Sequence, residues 1–437
     1  MAVTINNQIL SDRPGKTRRL EQVLRGSRRN DAAIRFVSSL PPGIPMPYRL
    51  ALVLSFGWVL ASSAVAQETR DSAGPSGWGA YTQALDAFAS GDSVVGAGTV
   101  YLSGTQVRAH HEFGWGDKAR SERIVERSIY HWASITKTLT AIAIMQLRDR
   151  GKLSLDDKVV RYVPELRQVH DTFGSMDEIT IRMLLSHSAG FQNPTWPYKQ
   201  GRPWEPFEPT RWEQLVSMMP YQEILFRPGS RFGYSNPGFI YLARIIEQLT
   251  ADPYQSYIQK NIWTPLGLTW SYFGSTPYHL ARWRSNNYTI VADSAGRRVV
   301  RPNGRDFDPG ITIPNSGWNA PLGDLATYVA FLSGARRNDT VLKRSSIEEM
   351  WRAVVPNGSQ DDIPGAVGLS FFLFHRGRVL LVGHTGDQAG FRSFFYLRPD
   401  TKAAVITVLN TTDEASPDSA EAGWSRIKRA AMALLAP

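Results

Sequence analysis

Ser134 stands in the stretch His131-Trp132-Ala133-Ser134-Ile135-Thr136-Lys137, with a lysine one helical turn behind it and a long apolar run after it. Residues three apart share one face of a helix, so the Ser134 hydroxyl and the Lys137 amine can share a hydrogen bond. A desolvated lysine loses its proton near neutral pH and can then act as the base for a serine that attacks a carbonyl. Ser-x-x-Lys alone is commonplace, so its meaning depends on context. Two further triplets follow in order: Tyr234-Ser235-Asn236, and His384-Thr385-Gly386 at the end of the apolar run Val379 to Val382. A helical serine, a polar triplet and a basic-Thr-Gly triplet form a set that performs acyl transfer.

Tyr234 is a second candidate for the proton transfer. A tyrosine holds its proton to about pH 10 and serves as a base at neutral pH only beside a cation such as Lys137. Asn236 precedes Pro237, the arrangement of an N-cap followed by proline at the first helical position, and is read both as that cap and as a substrate contact. His384 is either a satisfied histidine at a strand end or a pocket residue, and its place ahead of Thr385 and Gly386 favours the pocket. The pair His110-His111 has no partners at metal-ligand spacing, and no serine sits in a Gly-x-Ser-x-Gly elbow. No metal or cofactor is called for.

With these triplets go the stretches Gly151 to Asp157, Leu184 to Gly190, Phe226-Arg227-Pro228-Gly229 and Pro265-Leu266-Gly267-Leu268. On them the chain resembles, from about Gly77 to its end, the serine β-lactamase-related hydrolases of the class C type. That family takes in class C β-lactamases, D,D-carboxypeptidases, D-aminopeptidases and family VIII-type esterases. The resemblance implies an α+β fold of the β-lactamase/transpeptidase type and an acyl-enzyme on Ser134. It implies Lys137 and Tyr234 as the proton-transfer pair, with Tyr234 activating the deacylating water. It also implies an oxyanion hole from the backbone N–H groups of Ser134 and Asp387, and substrate contacts from Asn236, His384, Thr385 and Gly386. The chain departs from most β-lactamases at His384, where they carry lysine. A lysine holds a substrate carboxylate as a permanent cation, whereas histidine is mostly neutral at pH 7. The His-Thr-Gly form looks more like the carboxypeptidases, aminopeptidases and esterases. Arg392 is read as a replacement cation or as a surface-strand arginine. The expected substrate is a small ester, an amide or a peptide. The alternatives are a D,D-carboxypeptidase or penicillin-binding protein, a class C-like β-lactamase, and a non-catalytic binding or sensing protein.

Positioning these groups requires a helix behind Ser134, with Leu139, Ile142, Ala143 and Leu147 as its apolar stripe and Gly151 as its stop. A second helix runs from Gly238 to about Leu249. A helix near Gly77 to Ala89 leads into strand-like Val94 to Leu102. Arg378 to Gly383, Phe391 to Leu397 and Ala403 to Leu409 read as antiparallel strands, followed by a helix from about Ser416. The two ends are expected to pair in one antiparallel sheet flanked by helices, with a mostly helical lobe over about 153–315 and the active site at the seam. Gln192 to Thr210 carries Trp196, Tyr198, Trp204 and Phe207 and reads as an irregular aromatic wall, a lid or a pinned loop. Asn286 to Asn315 reads as similarly irregular.

The order of Tyr48-Arg49, the apolar run Leu50 to Leu60 and Ala64-Val65-Ala66 is that of a signal peptide over 46–66, too short for a membrane span. Residues 1–45 read as a basic extension or a misassigned start, and 67–437 as one catalytic domain. The net charge is +10, of which residues 1–45 supply eight Lys or Arg against three Asp or Glu; setting Arg49 aside as well leaves +4 for 67–437. So modest a charge does not point to nucleic acid. The absence of cysteine excludes disulfides, thiolate metal sites and a lipid-modified N-terminal cysteine. The expectation is a secreted or periplasmic bacterial protein acting on a small-molecule or peptide substrate, with its oligomeric state open.

Overall fold

The computed structural model describes residues 74–193, 209–306, 308–360, 363–388 and 390–436. The extension 1–45, the signal-like segment 46–66, and Trp196, Tyr198, Trp204 and Phe207 lie outside the described residues. In chain order, α1 (Trp78–Gly91) precedes the strands β1 (Gly96–Ser103), β2 (Gln106–Asp117), β3 (Glu122–Arg123) and β4 (Ile129–His131). Then come α2 (Thr136–Asp149), α3 (Pro237–Thr250), β5 (Tyr272–Phe273), β6 (Asn287–Ala292), β7 (Arg298–Gly304), α4 (Ile313–Ser316) and β8 (Trp318–Pro321). The chain closes with β9 (Val355–Gln360), β10 (Ile363–Val367), β11 (Phe372–Arg376), β12 (Val379–Gln388), β13 (Phe391–Arg398), β14 (Ala403–Leu409), β15 (Thr411–Asp413) and α5 (Pro417–Leu435). Shorter helices fill the stretch between α2 and α3 and around it.

One nine-stranded sheet runs β3-β2-β1-β14-β13-β12-β11-β10-β9, so the N-terminal hairpin is joined to the C-terminal strands through β1 and β14. That pairing is antiparallel and sets Thr99 opposite Thr407. Side chains alternate along a strand, and each face of the sheet has its own partners. Phe394, Tyr396, Val405 and Leu409 pack with Tyr81 and Leu85 of α1 and with Trp424 and Ile427 of α5. The intervening Phe395, Leu397, Ile406 and Val408 pack with Ile135, Leu139 and Ile142 at the head of α2. Covered on both sides, β14 is buried along its whole length, which is why it reads as an unbroken apolar run. Thr407 fits there because its hydroxyl pairs with Tyr81 Oη at 2.7 Å and Thr99 Oγ1 at 2.9 Å.

One expectation is exceeded and another needs correction. The helix behind Ser134 has no solvent face opposite its stripe: every residue from Thr136 to Leu147 is buried. Two of its polar side chains bond to backbone carbonyls inside the core, Thr140 Oγ1 donating to Pro314 O at 2.7 Å and Gln146 Nε2 to Val341 O at 2.7 Å. The segment 286–315, expected to be irregular, contains the antiparallel hairpin β6–β7, with Ile290 opposite Val300, and β15 joins β6 in parallel. A mostly exposed β7 has no apolar alternation to reveal it. The turn is held by Asp293 Oδ1, which accepts from Ala295 N and Arg297 N, both at 2.9 Å. Among the described residues, no helix is long and apolar enough to cross a membrane.

Candidate active site

Ser134 is placed by a run of backbone fixtures. β4 pairs with β8, setting His131 opposite Asn319, and Trp132 N then donates to Trp318 O at 2.8 Å. Ala133 has a left-handed φ of 46°, a strained value for a residue with a Cβ. The chain turns through a single 3-10 turn, Ala133–Ile135, into α2, so the serine sits at the head of the helix as the spacing predicts. Thr136 Oγ1 clamps the turn, donating to Ala133 O at 2.6 Å and accepting from Trp318 N at 3.0 Å. From the other side β12 closes in at Gly386, where a Cβ would lie 2.4 Å from Trp132 O and 2.5 Å from Ser393 Oγ. Only a glycine lets the strand carrying the C-terminal triplet and Asp387 approach the serine turn this closely.

Lys137 is completely buried. Its Nζ lies 3.0 Å from Ser134 Oγ, 2.8 Å from Asn236 Oδ1 and 2.9 Å from Asn315 O. The rings of Tyr234 and Phe239 wall it in at 4.9 and 5.6 Å. Burial holds its pKa well below the ordinary lysine value. A neutral amine has two N–H bonds and one lone pair. The fixed oxygens of Asn236 and Asn315 can accept only the N–H bonds, so the lone pair is left for the Ser134 hydroxyl proton.

Tyr234 is half-buried and its pKa is raised by desolvation, with a hydrogen bond to the Ser134 side chain pulling the other way. The phenol therefore keeps its proton, and burial favours the uncharged form of the amine beside it. His187 stacks on the Tyr234 ring with centroids 4.3 Å apart and planes at 26°. Its Nδ1 accepts from Ser235 N at 3.1 Å, which puts its proton on Nε2, and its φ of 54° is left-handed. Desolvation by burial holds the His187 pKa well below its usual value.

Asn236 is not a side-chain cap. Its φ and ψ of −76° and −46° are already helical, and Ser235 Oγ instead accepts from Gly238 N at 3.3 Å. The Asn236 amide is thus free to hold Lys137, while its Nδ2 donates to Asn193 Oδ1 at 3.2 Å. In the last triplet, His384 is fully buried beside Phe372, its Nδ1 donates to Thr385 O at 2.6 Å, and its Nε2 has no partner. Burial lowers its pKa to about 3, so it carries no charge for a carboxylate. Thr385 is the partly exposed side chain of the three. Arg392 is committed, its Nε 2.9 Å from Asp387 Oδ2 and its Nη2 paired with Glu421. Only 13% of its side chain is exposed, and it ties β12 and β13 to α5.

The structure thus gathers Ser134, Lys137, Tyr234 and Asn236 in one hydrogen-bonded cluster and brings Gly386 against the serine turn. Sequence reasoning missed Asn315, which contributes a backbone carbonyl that no residue type announces. It quoted His187 only within a longer stretch, and nothing in a lone histidine shows a stacked ring. Among the described residues no group of three or more His, Cys, Asp or Glu is placed to hold a metal.

Residues 49–428 match the family model described as Beta-lactamase. Protein flp of Staphylococcus aureus is 24% identical over 330 residues, 75% of this chain but 62% of that protein, so the chain spans less than two thirds of that relative. The octameric penicillin-binding protein homologue from Pyrococcus abyssi superposes with a TM-score of 0.66 at 24% identity, covering 82% of this chain and 77% of that one. The D-amino acid amidase from Ochrobactrum anthropi superposes with a TM-score of 0.63 at 19% identity, covering 80% of this chain and 98% of that one. Both likenesses establish the fold.

Proposed function

The chain belongs to the beta-lactamase family, a family of serine hydrolases, and from that premise we propose that it hydrolyses a small ester, amide or peptide through an acyl-enzyme on Ser134. One observation carries this reading: the buried Lys137 amine has two fixed carbonyl-type acceptors and a serine hydroxyl around it, with no carboxylate among its hydrogen-bond partners. Lys137 takes the hydroxyl proton as Oγ attacks the carbonyl carbon. The proton then reaches the leaving group through the lysine and the Tyr234 phenol; in the second half the same pair takes a proton from the water that attacks the acyl carbon and returns it to Ser134 Oγ as the bond from that carbon to Oγ breaks. Backbone N–H groups of Ser134 and Asp387 serve the oxyanion. The closeness that Gly386 allows between the two segments supports that role.

Esters and amides rank ahead of β-lactams because the neutral, buried His384 and the committed Arg392 leave the triplet without a cation for a ring carboxylate. Asn236 and Thr385 are the proposed substrate contacts, with His384 shaping the triplet from behind. The signal-like order of residues 46–66 supports export. Intact mass spectrometry over time with a p-nitrophenyl ester and with a penicillin, run beside Ser134→Ala, tests the reading. A transient serine-dependent acyl adduct with the ester and a weak or absent one with penicillin is expected. Turnover that survives Ser134→Ala refutes it.

A further inference from the structure

A cleft of about 280 Å³ is lined by Glu122, Arg123, Ser128, Arg282, Trp283 and Arg284 among others, and by none of the residues around Ser134. Three arginines and a single carboxylate line this small space. Its one carboxylate, Glu122, is already paired with Arg305 and lies 3.2 Å from Arg120. Arg123 instead lies on the face of Trp115, with Cζ 3.8 Å from the ring centre, and Arg282 lies on Trp283 at 4.5 Å. A guanidinium that stacks by its face keeps its N–H donors free in the plane. Arg127 adds a fourth cation, 5.8 Å from the centres of both Trp270 and Trp283.

Arg284 is the innermost of the set, with 2% of its side chain exposed. Its Nε donates to Arg305 O at 2.8 Å and lies 3.9 Å from Asp306 Oδ1, while Nη1 has no hydrogen-bond partner. An unpaired donor on a buried cation is costly, and such a group is usually matched by a ligand or by another charge. Val125 and the Trp283 ring give the same cleft an apolar wall.

We propose that this cleft is a second binding site, separate from Ser134, for a small organic molecule bearing a carboxylate or a phosphate. The oxyanion pairs with the in-plane donors of Arg123, Arg282 and Arg284, and the carbon part lies along Trp283 and Val125. The test is calorimetric titration of the intact protein at low salt with benzoate and with inorganic phosphate, which separates the carboxylate from the phosphate arm. Saturable one-to-one binding of at least one anion is expected, unchanged in Ser134→Ala. Arg123→Ala and Arg282→Ala, both on exposed side chains, should each weaken it about tenfold, the worth of one charge-assisted contact. Arg284→Met should remove it; if that variant does not fold, the two exposed positions decide. Absence of saturable binding by both anions overturns the proposal, as does binding that is unaltered in the Arg123→Ala, Arg282→Ala double variant.

Discussion

At the scale of single residues, the site works by keeping charge out. Lys137 has its two N–H bonds spoken for by Asn236 and Asn315, and its lone pair meets Ser134. Replacing it with alanine is expected to slow acylation about a thousandfold, within the range for general bases, with the far-ultraviolet spectrum unchanged. Because burial lowers the pKa of this lysine, its basic form persists below the ordinary lysine range, and acylation falls only as pH drops through the lowered value. Rapid-quench measurement of the acylation rate across pH locates that limb, and a limb near the free-lysine pKa would contradict the geometry. His187 predicts something different. Truncation to alanine removes a ring stacked on Tyr234 and leaves Ser235 N without its acceptor, destabilising the protein by about 2 kcal/mol. If the stack aims the phenol, kcat falls while KM holds; equal loss in both parameters would reduce His187 to a packing role.

At the scale of elements, the decisive contact is the approach of β12 to the serine turn. Gly386→Ala places a methyl 2.4 Å from a backbone oxygen that cannot move without disturbing the pairing of β4 with β8. Acylation is expected to drop about a hundredfold, the worth of one misplaced oxyanion donor. Gly323→Ala, where a Cβ meets nothing within 4 Å, serves as the control and should leave the rate unchanged. The same elements show what could be read from the chain. Strand β14 was legible to the residue because both of its faces are apolar, and α3 because its stripe of Ile240, Ile245 and Ile246 is long and periodic. The cap of α3 was misread because Asn and Ser are both good caps, and only the helical φ and ψ of Asn236 show that Ser235 holds the position. The β6–β7 hairpin was hidden because an exposed strand needs no apolar period. Ser134, Lys137 and Tyr234 announced themselves through side-chain chemistry, whereas Asn315 acts through a carbonyl that every residue has.

At the scale of the whole molecule, three histidines are buried in neutral form. Desolvation lowers His131 to about 4 and His384 to about 3, and carries His187 well below its usual value. Their folded values lie below the unfolded one of about 6.5, so above that pH they cost nothing. As the pH falls below it, the unfolded chain takes up protons that the folded chain refuses. Each histidine then removes about 1.4 kcal/mol of stability per pH unit until its folded value is reached. Thermal melts should therefore fall steeply from pH 6.5 to 5, and His131→Gln should flatten the slope; a flat profile in the parent protein would mean that these rings take up protons without unfolding. The sheet has a consequence of another kind. Ala97 pairs with Leu409, so the first strand waits for nearly the last one. While the chain is being synthesised, the edge of β1 away from β2 has no strand to pair with until Ala403 to Leu409 has left the ribosome. Such distant pairing delays folding. A premature stop before Ala403 leaves β1 an open edge that invites aggregation, so late truncations should be lost from the soluble fraction even though every proposed catalytic residue is present.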